Sequence, residues 1–279
     1  MQEQHTWSHN WLSGIKDGVK ISQISIPGSH DSCARSPLDR SKQCQWLSII
    51  QQLNRGIRFL DIRCQYEADS ENGREQAIYF PIYHASAFQH ICFEEVQAQC
   101  MAFLCQNPTE FILMNVQIEN DSSSDGDKFQ QKFLEFTAPY QADYWYLKNT
   151  IPTIDECRGR IVLIRAYDAD TKRGWTNGGG LEWNGFNMDG ESSNTIFQTQ
   201  NGWKIWDGFE KGDRVEKYLR AAENNAAHGY LTLNFASYAL DNNPRRNAEG
   251  MNKRLRNFLG NYSSSNDNWG TVLGVIPIE

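Results

Sequence analysis

Two histidines and an arginine stand at the ends of three apolar segments in the first third of the chain. His30 follows the segment at 25–29, Arg63 ends a run that starts at Ile57, and His84 ends a run that starts at Ile78. Imidazole gains and loses a proton near neutral pH, and a guanidinium binds the non-bridging oxygens of a phosphate. These residue types together predict general acid/base cleavage of a phosphate ester.

The elements that position these residues are strands, because continuous apolar runs of strand length recur along the chain. The predicted strands cover residues 21–27, 57–63, 78–84, 111–118, 161–165, 230–235 and 272–278, with one more between 181 and 206. Most of these runs are apolar throughout rather than alternating, which is typical of strands buried on both faces.

Apolar residues at helical spacing separate the predicted strands, and they indicate amphipathic helices that pack on a sheet. The stripes are Trp46, Leu47, Ile50 and Leu53; Phe93, Val96, Cys100, Phe103 and Leu104; Val215, Tyr218, Leu219 and Ala222; and Met251, Leu255, Phe258 and Leu259. Eight strands with intervening helices favour an α/β fold, a (β/α)8 TIM-type barrel, over an open doubly wound sheet. No change in composition marks a boundary, so residues 1–279 are expected to form a single domain.

Composition narrows the classes of function. The 279 residues are 39% hydrophobic and 22% charged, as in a soluble globular protein. Lys and Arg total 27 against 34 Asp and Glu, and the net charge of −7 argues against general nucleic-acid binding. No apolar run reaches 18 residues, so no transmembrane helix is expected. Residues 1–6 have neither a basic region nor an apolar core, which indicates a cytosolic chain or a mature chain without its leader.

All seven cysteines lie in the first 157 residues, and none forms a C-x-x-C pair. A zinc site is therefore not expected. Buried reduced thiols are favoured over a disulfide framework, although one bridge stays open. Cys92 and Cys100 are about 12 Å apart on a predicted helix, too far for a disulfide.

Two polar loops stand out. Residues 120–127 resemble a calcium loop, but the EF-hand pattern requires a carboxylate where this chain has Lys132, so a solvated surface loop is predicted. Residues 174–209 are rich in Gly, Asn and Trp, and a loop of this length is typically functional or mobile. Its four tryptophans are Trp175, Trp183, Trp203 and Trp206. Packing on the barrel is favoured over membrane contact for most of them.

The carboxyl ends of the strands in such a barrel meet at one mouth. The polar residues at the predicted ends are His30, Asp31, Asp61, Arg63, His84, Gln117, Glu119, Arg165, Asn234 and Glu279. Each has a structural explanation when taken alone, and Asp61 with Arg63 is an ordinary ion pair in that reading. Two histidines and two arginines at strand ends nevertheless favour a catalytic site.

Five segments carry a resemblance to a known family. SIPGSHDS, GIRFLDIR, IYHA, NPTEFILMNV and RGRIVLIR, in this order and spacing, resemble the catalytic X-type domain of phosphatidylinositol-specific phospholipase C, with the single-domain bacterial form most similar. The resemblance runs from about Ile24 to the last residue. It implies an irregular TIM barrel that cleaves phosphatidylinositol to diacylglycerol and cyclic inositol 1,2-phosphate.

The resemblance also implies five catalytic residues. His30 is the expected general base on the inositol 2-hydroxyl, which then attacks the neighbouring phosphorus. His84 is the expected general acid on the diacylglycerol oxygen. Asp31 is expected to pair with His84, and Glu279, one methylene longer than the family's aspartate, is expected to pair with His30. Arg63 is expected to bind the phosphate oxygens.

The expected substrate-binding residues depart from the family's pattern. Gln117 stands where the family has a lysine, and Arg165 lies one place before the residue that matches the family's arginine. The family's Asp and aromatic pair is assigned to Asp207 and Phe209. Arg63 stands where calcium-dependent relatives gather acidic residues, so no metal or other cofactor is expected.

Two other functions stay open at this point: a barrel phosphodiesterase or lyase for a different phospholipid headgroup, and a catalytically weak module that binds inositol lipids. The resemblance implies a monomer that contacts inositol phospholipids transiently at a membrane surface and does not bind nucleic acid. It also implies a secreted protein, with a cytoplasmic one as the alternative.

Overall fold

A computed structural model describes residues 8–36, 38–65, 67–71, 74–119, 126–167, 179–183, 189–205, 207–240, 243–265 and 272–279. Its strands are β1 (Ile26–Ser29), β2 (Phe59–Cys64), β3 (Glu67–Glu71), β4 (Arg74–Tyr79), β5 (Pro81–His84), β6 (Ala87–Cys92), β7 (Ile112–Ile118), β8 (Trp145–Tyr146), β9 (Ile161–Ala166), β10 (Leu181–Glu182), β11 (Glu191–Ser193), β12 (Phe197–Gln200), β13 (Leu231–Asn234) and β14 (Val275–Ile278). Its α-helices are α1 (Ile49–Asn54), α2 (Phe93–Gln106), α3 (Gly126–Thr137), α4 (Gln141–Tyr144), α5 (Ile154–Cys157), α6 (Gly208–Ala227) and α7 (Pro244–Ser265). Short 3-10 helices cover Ser8–Gly14, Ile21–Gln23, Arg40–Lys42 and Ala138–Tyr140.

Eight parallel strands form the barrel, in the order β10-β9-β7-β2-β1-β14-β13-β12. Between β10 and β12 the described residues show no strand pairing, and a single side-chain bond from Asn194 Nδ2 to the Glu182 carbonyl (2.8 Å) joins the two sides. Outside the barrel, β3 pairs with β4, and β5 pairs antiparallel with β2 and β6. The predicted (β/α)8 barrel is therefore confirmed in an irregular form.

The first predicted strand, 21–27, is displaced in the structure. Ile21 begins a 3-10 helix, its backbone N–H donates to the Pro152 carbonyl (3.1 Å), and β1 starts only at Ile26. Pairing with β14 continues to Ser29, so the strand ends directly before His30. The apolar start of this run packs into the core as a helix, which periodicity alone does not distinguish from a strand.

The predicted strand 78–84 is two strands separated at Phe80. Phe80 is buried among other phenylalanines, with ring centroids 5.2 Å from Phe129 and 5.9 Å from Phe133. Pro81 follows and has no N–H to donate to a ladder. As a result β5 runs antiparallel to its neighbours, and His84 reaches the site from a hairpin rather than from a parallel barrel strand.

Alternate residues of the barrel strands face opposite sides. Leu60 and Ile62 pack in a cluster with residues of α1 and α2, whereas Phe59 packs in a second cluster with Leu233 and Val275 from other barrel strands. The predicted helical stripes are mostly buried, as expected. Trp46 is an exception with 62% exposure, because Ser48 caps α1 and the helix begins after the tryptophan.

Several other expectations can be compared with the structure. All seven cysteines are free, so no disulfide forms. Among the described helices, none combines the length and hydrophobicity needed to cross a bilayer. Trp183 is buried and stacks on Phe235 at 5.6 Å, as its predicted packing role requires. The N-terminal residues 1–6, residues 120–125 of the predicted surface loop, Trp175 and Trp206 lie outside the described residues.

Candidate active site

A cavity of about 420 Å³ lies at the carboxyl ends of the barrel strands. It is lined by six of the predicted site residues, which are His30, Asp31, Arg63, His84, Gln117 and Glu279. Glu119, from the end of β7, also lines it. The strand-end prediction therefore holds for these residues, which come from β1, β2, β5, β7 and β14 or directly follow them.

His30 is held in place by its backbone and by contacts with Arg63 and Glu279. Its N–H donates to the Ile278 carbonyl (2.9 Å), which extends the pairing of β1 with β14. Its Nε2 lies 2.9 Å from Arg63 Nη2, and its Nδ1 lies 3.4 Å from Glu279 Oε1. Because the guanidinium can only donate, Nε2 accepts and the ring proton resides on Nδ1, facing the carboxylate.

The same neighbours set the proton affinity of His30. Burial alone lowers the pKa of this imidazole, but Asp31 and Glu279 favour the charged form, and the net pKa lies above its usual value. Arg63 opposes the two carboxylates. The two carboxylates thus raise the affinity of the ring for a proton, as a general base requires.

His84 stands at the end of β5 with both ring nitrogens facing acceptors. Its Nδ1 is 3.0 Å from the Lys42 carbonyl, and its Nε2 is 3.5 Å from Asp31 Oδ2. An imidazole between a carbonyl and a carboxylate has an acceptor available for a hydrogen bond from each nitrogen. The geometry suits a general acid.

Asp31 joins the two histidines. Its Oδ2 lies 3.4 Å from His30 Nε2 and 3.5 Å from His84 Nε2, so the two imidazole nitrogens are within about 7 Å of each other. The residue has a positive φ of 43°, and its N–H donates to Asp61 Oδ2 (3.0 Å), which holds this strained backbone. Burial alone would raise the pKa of Asp31, but Arg63 and both imidazoles hold the pKa below its usual range.

Arg63 is fixed by a pair of buried carboxylates. Its Nε forms an ion pair with Asp31 Oδ1 (2.9 Å), and both Nε (3.3 Å) and Nη2 (3.1 Å) donate to Asp61 Oδ2. Asn115 Nδ2 donates to the other oxygen of Asp61 (2.8 Å). Burial alone would lower the pKa of the guanidinium, but the effect of Asp31 and Asp61 is larger, so the net pKa is raised and the group stays charged. The Nη1 arm has Glu119 Oε2 at 3.9 Å, and Arg63 is among the residues that line the cavity.

Glu119 and Glu279 complete the acidic surroundings. Burial raises the pKa of Glu119, and Arg63 counteracts that shift; its Oε1 accepts from the Ala85 N–H (2.6 Å), next to His84. Glu279 is held through its backbone carbonyl, which accepts from Asn252 Nδ2 (3.1 Å). Its longer side chain still brings a carboxylate oxygen to His30, so the missing aspartate of the family pattern is replaced in space.

Three of the predicted substrate-binding residues do not line this cavity. Arg165 pairs with Glu182 (3.1 Å) and donates to the Tyr167 carbonyl (3.1 Å). Asp207 caps α6 by accepting from the Phe209 N–H (2.9 Å), and the Phe209 ring is 79% exposed.

Asn201 and Trp203 line the cavity instead, together with Ser237, Tyr238 and Asn247. Asn201 and Trp203 follow β12 directly, so the strand-end rule would have found them had the strand been delimited within 181–206. The strand was not recognised in the sequence because it has only four residues and lies in a glycine-rich segment.

One group of described residues has the donor types of a metal site. Ligand atoms of His30, Asp31 and Cys44 lie within 4.8 Å of one another. Arg63 contacts both His30 and Asp31 at this position, and its fixed positive charge disfavours a cation there. The residues present thus fit an anion better than a metal.

Comparisons with known proteins agree with this geometry. A family model described as phosphatidylinositol-specific phospholipase C, X domain, matches residues 23–167. The chain is 28% identical over 270 residues to a 1-phosphatidylinositol phosphodiesterase of Listeria monocytogenes, covering 91% of this chain and 76% of that protein. It is 27% identical over 257 residues to the Staphylococcus aureus (strain Newman) protein of the same name, covering 82% and 75%.

Solved structures show the same fold. A phosphatidylinositol-specific phospholipase C from S. aureus, from work on its membrane binding, superposes with a TM-score of 0.79 at 20% identity, covering 98% of this chain and 91% of that one. The enzyme of that name from L. monocytogenes superposes with a TM-score of 0.76 at 23% identity, covering 98% and 93%.

Proposed function

We propose that this chain, which belongs to the phosphatidylinositol-specific phospholipase C X-domain family, cleaves phosphatidylinositol to diacylglycerol and cyclic inositol 1,2-phosphate. The observation that carries the proposal is the single carboxylate oxygen of Asp31 between two imidazoles, with a guanidinium beside it. The names of the Listeria and Staphylococcus relatives support the same substrate.

The reaction begins with proton transfer to His30. When the substrate binds, its inositol 2-hydroxyl takes the place of Arg63 Nη2 as the hydrogen-bond donor to His30 Nε2. Nε2 then removes the hydroxyl proton, and that oxygen forms a bond to the adjacent phosphorus. The substrate supplies its own nucleophile, which removes the entropy cost of bringing a second molecule into place. Asp31 and Glu279 stabilise the imidazolium that results, because both carboxylates lie 3.4 Å from the ring nitrogens.

The reaction ends with proton transfer from His84. As the bond from phosphorus to the glycerol oxygen breaks, the Nε2 proton of His84 passes to that oxygen and diacylglycerol leaves. Arg63 offsets the negative charge that builds on the non-bridging oxygens, and because Asp31 and Asp61 already fix it, little reorganisation is needed. No metal ion takes part in this scheme.

The inositol ring is proposed to contact the polar wall formed by Gln117, Asn201, Trp203 and Tyr238. Amide and hydroxyl groups bind sugar hydroxyls, and the neutral Gln117 offers no charge for an additional phosphate. Arg165, Asp207 and Phe209 are not among the residues that line the cavity, so this wall is proposed without them.

The membrane is the proposed site of action. Leu38 (83% exposed) and Trp46 (62% exposed) lie on the segment between β1 and α1, whose Ser41 and Lys42 line the cavity. Exposed apolar side chains beside an active-site mouth favour transient contact with a lipid surface. We further propose, from similarity to bacterial enzymes alone, that the protein is secreted; recovery of the protein only from the cell lysate of its host would contradict this.

Phosphorus NMR of the products from phosphatidylinositol vesicles in EDTA tests the proposal. The expected result is a five-membered cyclic phosphate, formed at the same rate with and without EDTA. Vesicles of phosphatidylcholine and phosphatidylglycerol in parallel distinguish the alternative headgroups. Vesicle binding without turnover would indicate a binding module, and turnover that returns only with calcium would refute the metal-free mechanism.

A further inference from the structure

A lysine with no role in the proposed chemistry is buried beside the active site. Lys211, in the first turn of α6, is fully buried. Among the described carboxylates, none lies within ion-pairing distance of its ammonium group. The pKa of Lys211 is lowered to about 7, mainly by burial and also by the charge of Arg214, and the opposing effects of Asp189 and Glu279 are smaller.

The amine of Lys211 bonds to the segment that follows β12. Its Nζ donates to Gln200 Oε1 (2.8 Å) and to the Gly202 carbonyl (2.7 Å). Gln200 Oε1 also accepts from the Gly202 N–H (2.8 Å), so the chain bends tightly around the amine. A Cβ on Gly202 would lie 2.9 Å from Ile205 Cδ1 and 3.3 Å from Gln200 Oε1, so any larger residue would push directly on the acceptor of the Lys211 amine.

The same network is anchored to the rigid part of the fold. Gln200 Nε2 donates to Asn234 Oδ1 (3.0 Å) and to the Phe235 carbonyl (2.9 Å), and Asn234 Nδ2 donates to the Val215 carbonyl in α6 (2.9 Å). Lys211 thus connects α6 to the end of β12 and to the bend, and Gln200 extends this connection to the end of β13.

The bend presents two residues to the cavity. Asn201 and Trp203 flank Gly202, and both line the cavity. The Trp203 carbonyl accepts from the Ala239 N–H (2.9 Å), which connects the bend to a second lining segment. Loss of the amine would leave the Gly202 carbonyl without its buried donor, and the segment would have to move to find another.

We propose that Lys211 is a positioning residue that fixes Asn201 and Trp203 in the wall that receives the substrate headgroup. The inference rests on the proposed function. Lys211 contacts none of the reacting groups, so it acts on headgroup binding and not on proton transfer. Its effect should therefore appear in KM and in the inhibition constant of free myo-inositol, with kcat little changed.

The test compares Lys211→Met with Lys217→Met, a lysine on the same helix that is exposed and pairs with Glu191 (2.8 Å). Lys211→Met is expected to raise KM for phosphatidylinositol and the myo-inositol inhibition constant about tenfold, and to change kcat less than threefold. Backbone amides of residues 201–204 should exchange hydrogen faster in the same variant. Lys217→Met should match the wild type in every measurement.

Each result supports or overturns the proposal. A folded Lys211→Met with KM and amide exchange like the wild type would overturn it, as would a loss confined to kcat. Should Lys211→Met not fold, Gly202→Ala perturbs the same bend without burying a new group, and an unchanged KM in that variant overturns the proposal too. An inactive wild-type enzyme would instead refute the proposed function, which keeps the two failures separate.

Discussion

Replacement of Arg63 gives the sharpest test of the proposed chemistry, because its charge and its shape can be removed separately. A guanidinium about 4 Å from a phosphate charge interacts with it by roughly 4 kcal/mol at an effective dielectric constant near 20. If that interaction develops mainly in the transition state, its loss lowers kcat by about a thousandfold. Arg63→Met is therefore expected to lose about three orders of magnitude.

Arg63→Lys keeps the positive charge but not the planar fork. A lysine ammonium can still reach Asp31 or Asp61, but it lacks the additional donors with which a guanidinium binds two carboxylates and a phosphate at once. The expected loss is therefore smaller, about tenfold to a hundredfold in kcat. A kcat that decreases from wild type to Arg63→Lys to Arg63→Met would show that both the positive charge and its orientation contribute to catalysis.

Stability has to be measured beside activity. Arg63→Met leaves two buried carboxylates without their counter-ion, which costs on the order of 3–5 kcal/mol of unfolding free energy. Turnover should be expressed per folded enzyme, with denaturation curves for each variant. Arg160→Met is a matched control, because Arg160 is half-buried outside the cavity and donates to the Trp145 carbonyl. Activity of Arg63→Met within tenfold of the wild type would refute the assigned role.

Three further predictions follow from the same structure. His30→Ala and His84→Ala should each lower kcat by at least about a thousandfold in the vesicle assay, the scale of an acid/base group. The pKa of Lys211 is about 7 in the folded state and 10.5 in the unfolded chain, so between these pH values only the unfolded state keeps the proton of this lysine. The free energy of unfolding should therefore rise by on the order of 2 kcal/mol from pH 7 to pH 9. Denaturant titrations of Lys211→Met should lack this rise. Trp46→Ala should weaken vesicle binding by roughly tenfold in sedimentation assays, because one exposed aromatic ring leaves the lipid surface.

Each of these predictions has its own control and refuting result. His228→Ala changes an exposed histidine at the end of α6 and should keep full activity, and a histidine variant of the site with near wild-type turnover would remove that residue from the mechanism. Parallel pH slopes for wild type and Lys211→Met would show that Lys211 titrates normally. Equal vesicle affinity of Trp46→Ala and wild type would place the membrane contact elsewhere.

The reacting centre was predictable because its residues stand near the ends of continuous apolar runs in the sequence. Such runs have a recognisable end, and side chains close to that end face the mouth of the barrel. His30, Arg63 and Gln117 were found by that rule, and Glu279 by counting along the last strand. The resemblance to a known family then supplied their roles.

The headgroup wall was not predictable in the same way. β10 has two residues and β12 has four, which is too short for a periodicity signal in a segment rich in glycine and tryptophan. Asn201 and Trp203 were therefore overlooked. Lys211 gave no signal at all, because it lies in a charged stretch of helix that looks solvent-exposed, and only its contact with the end of β12 reveals its burial.

The origin of His84 on a hairpin outside the barrel has a consequence for engineering. The base and the guanidinium stand on or directly after parallel strands, whereas the acid arrives on the hairpin of β5 and β6, whose strand pairing with the barrel, among the described residues, is to β2. Closure of the cyclic phosphate, by His30, thus depends on the barrel strands, and protonation of the leaving alcohol, by His84, depends on the hairpin. Exchanging the hairpin alone offers a route to enzymes that expel different alcohols while the cyclising half stays intact.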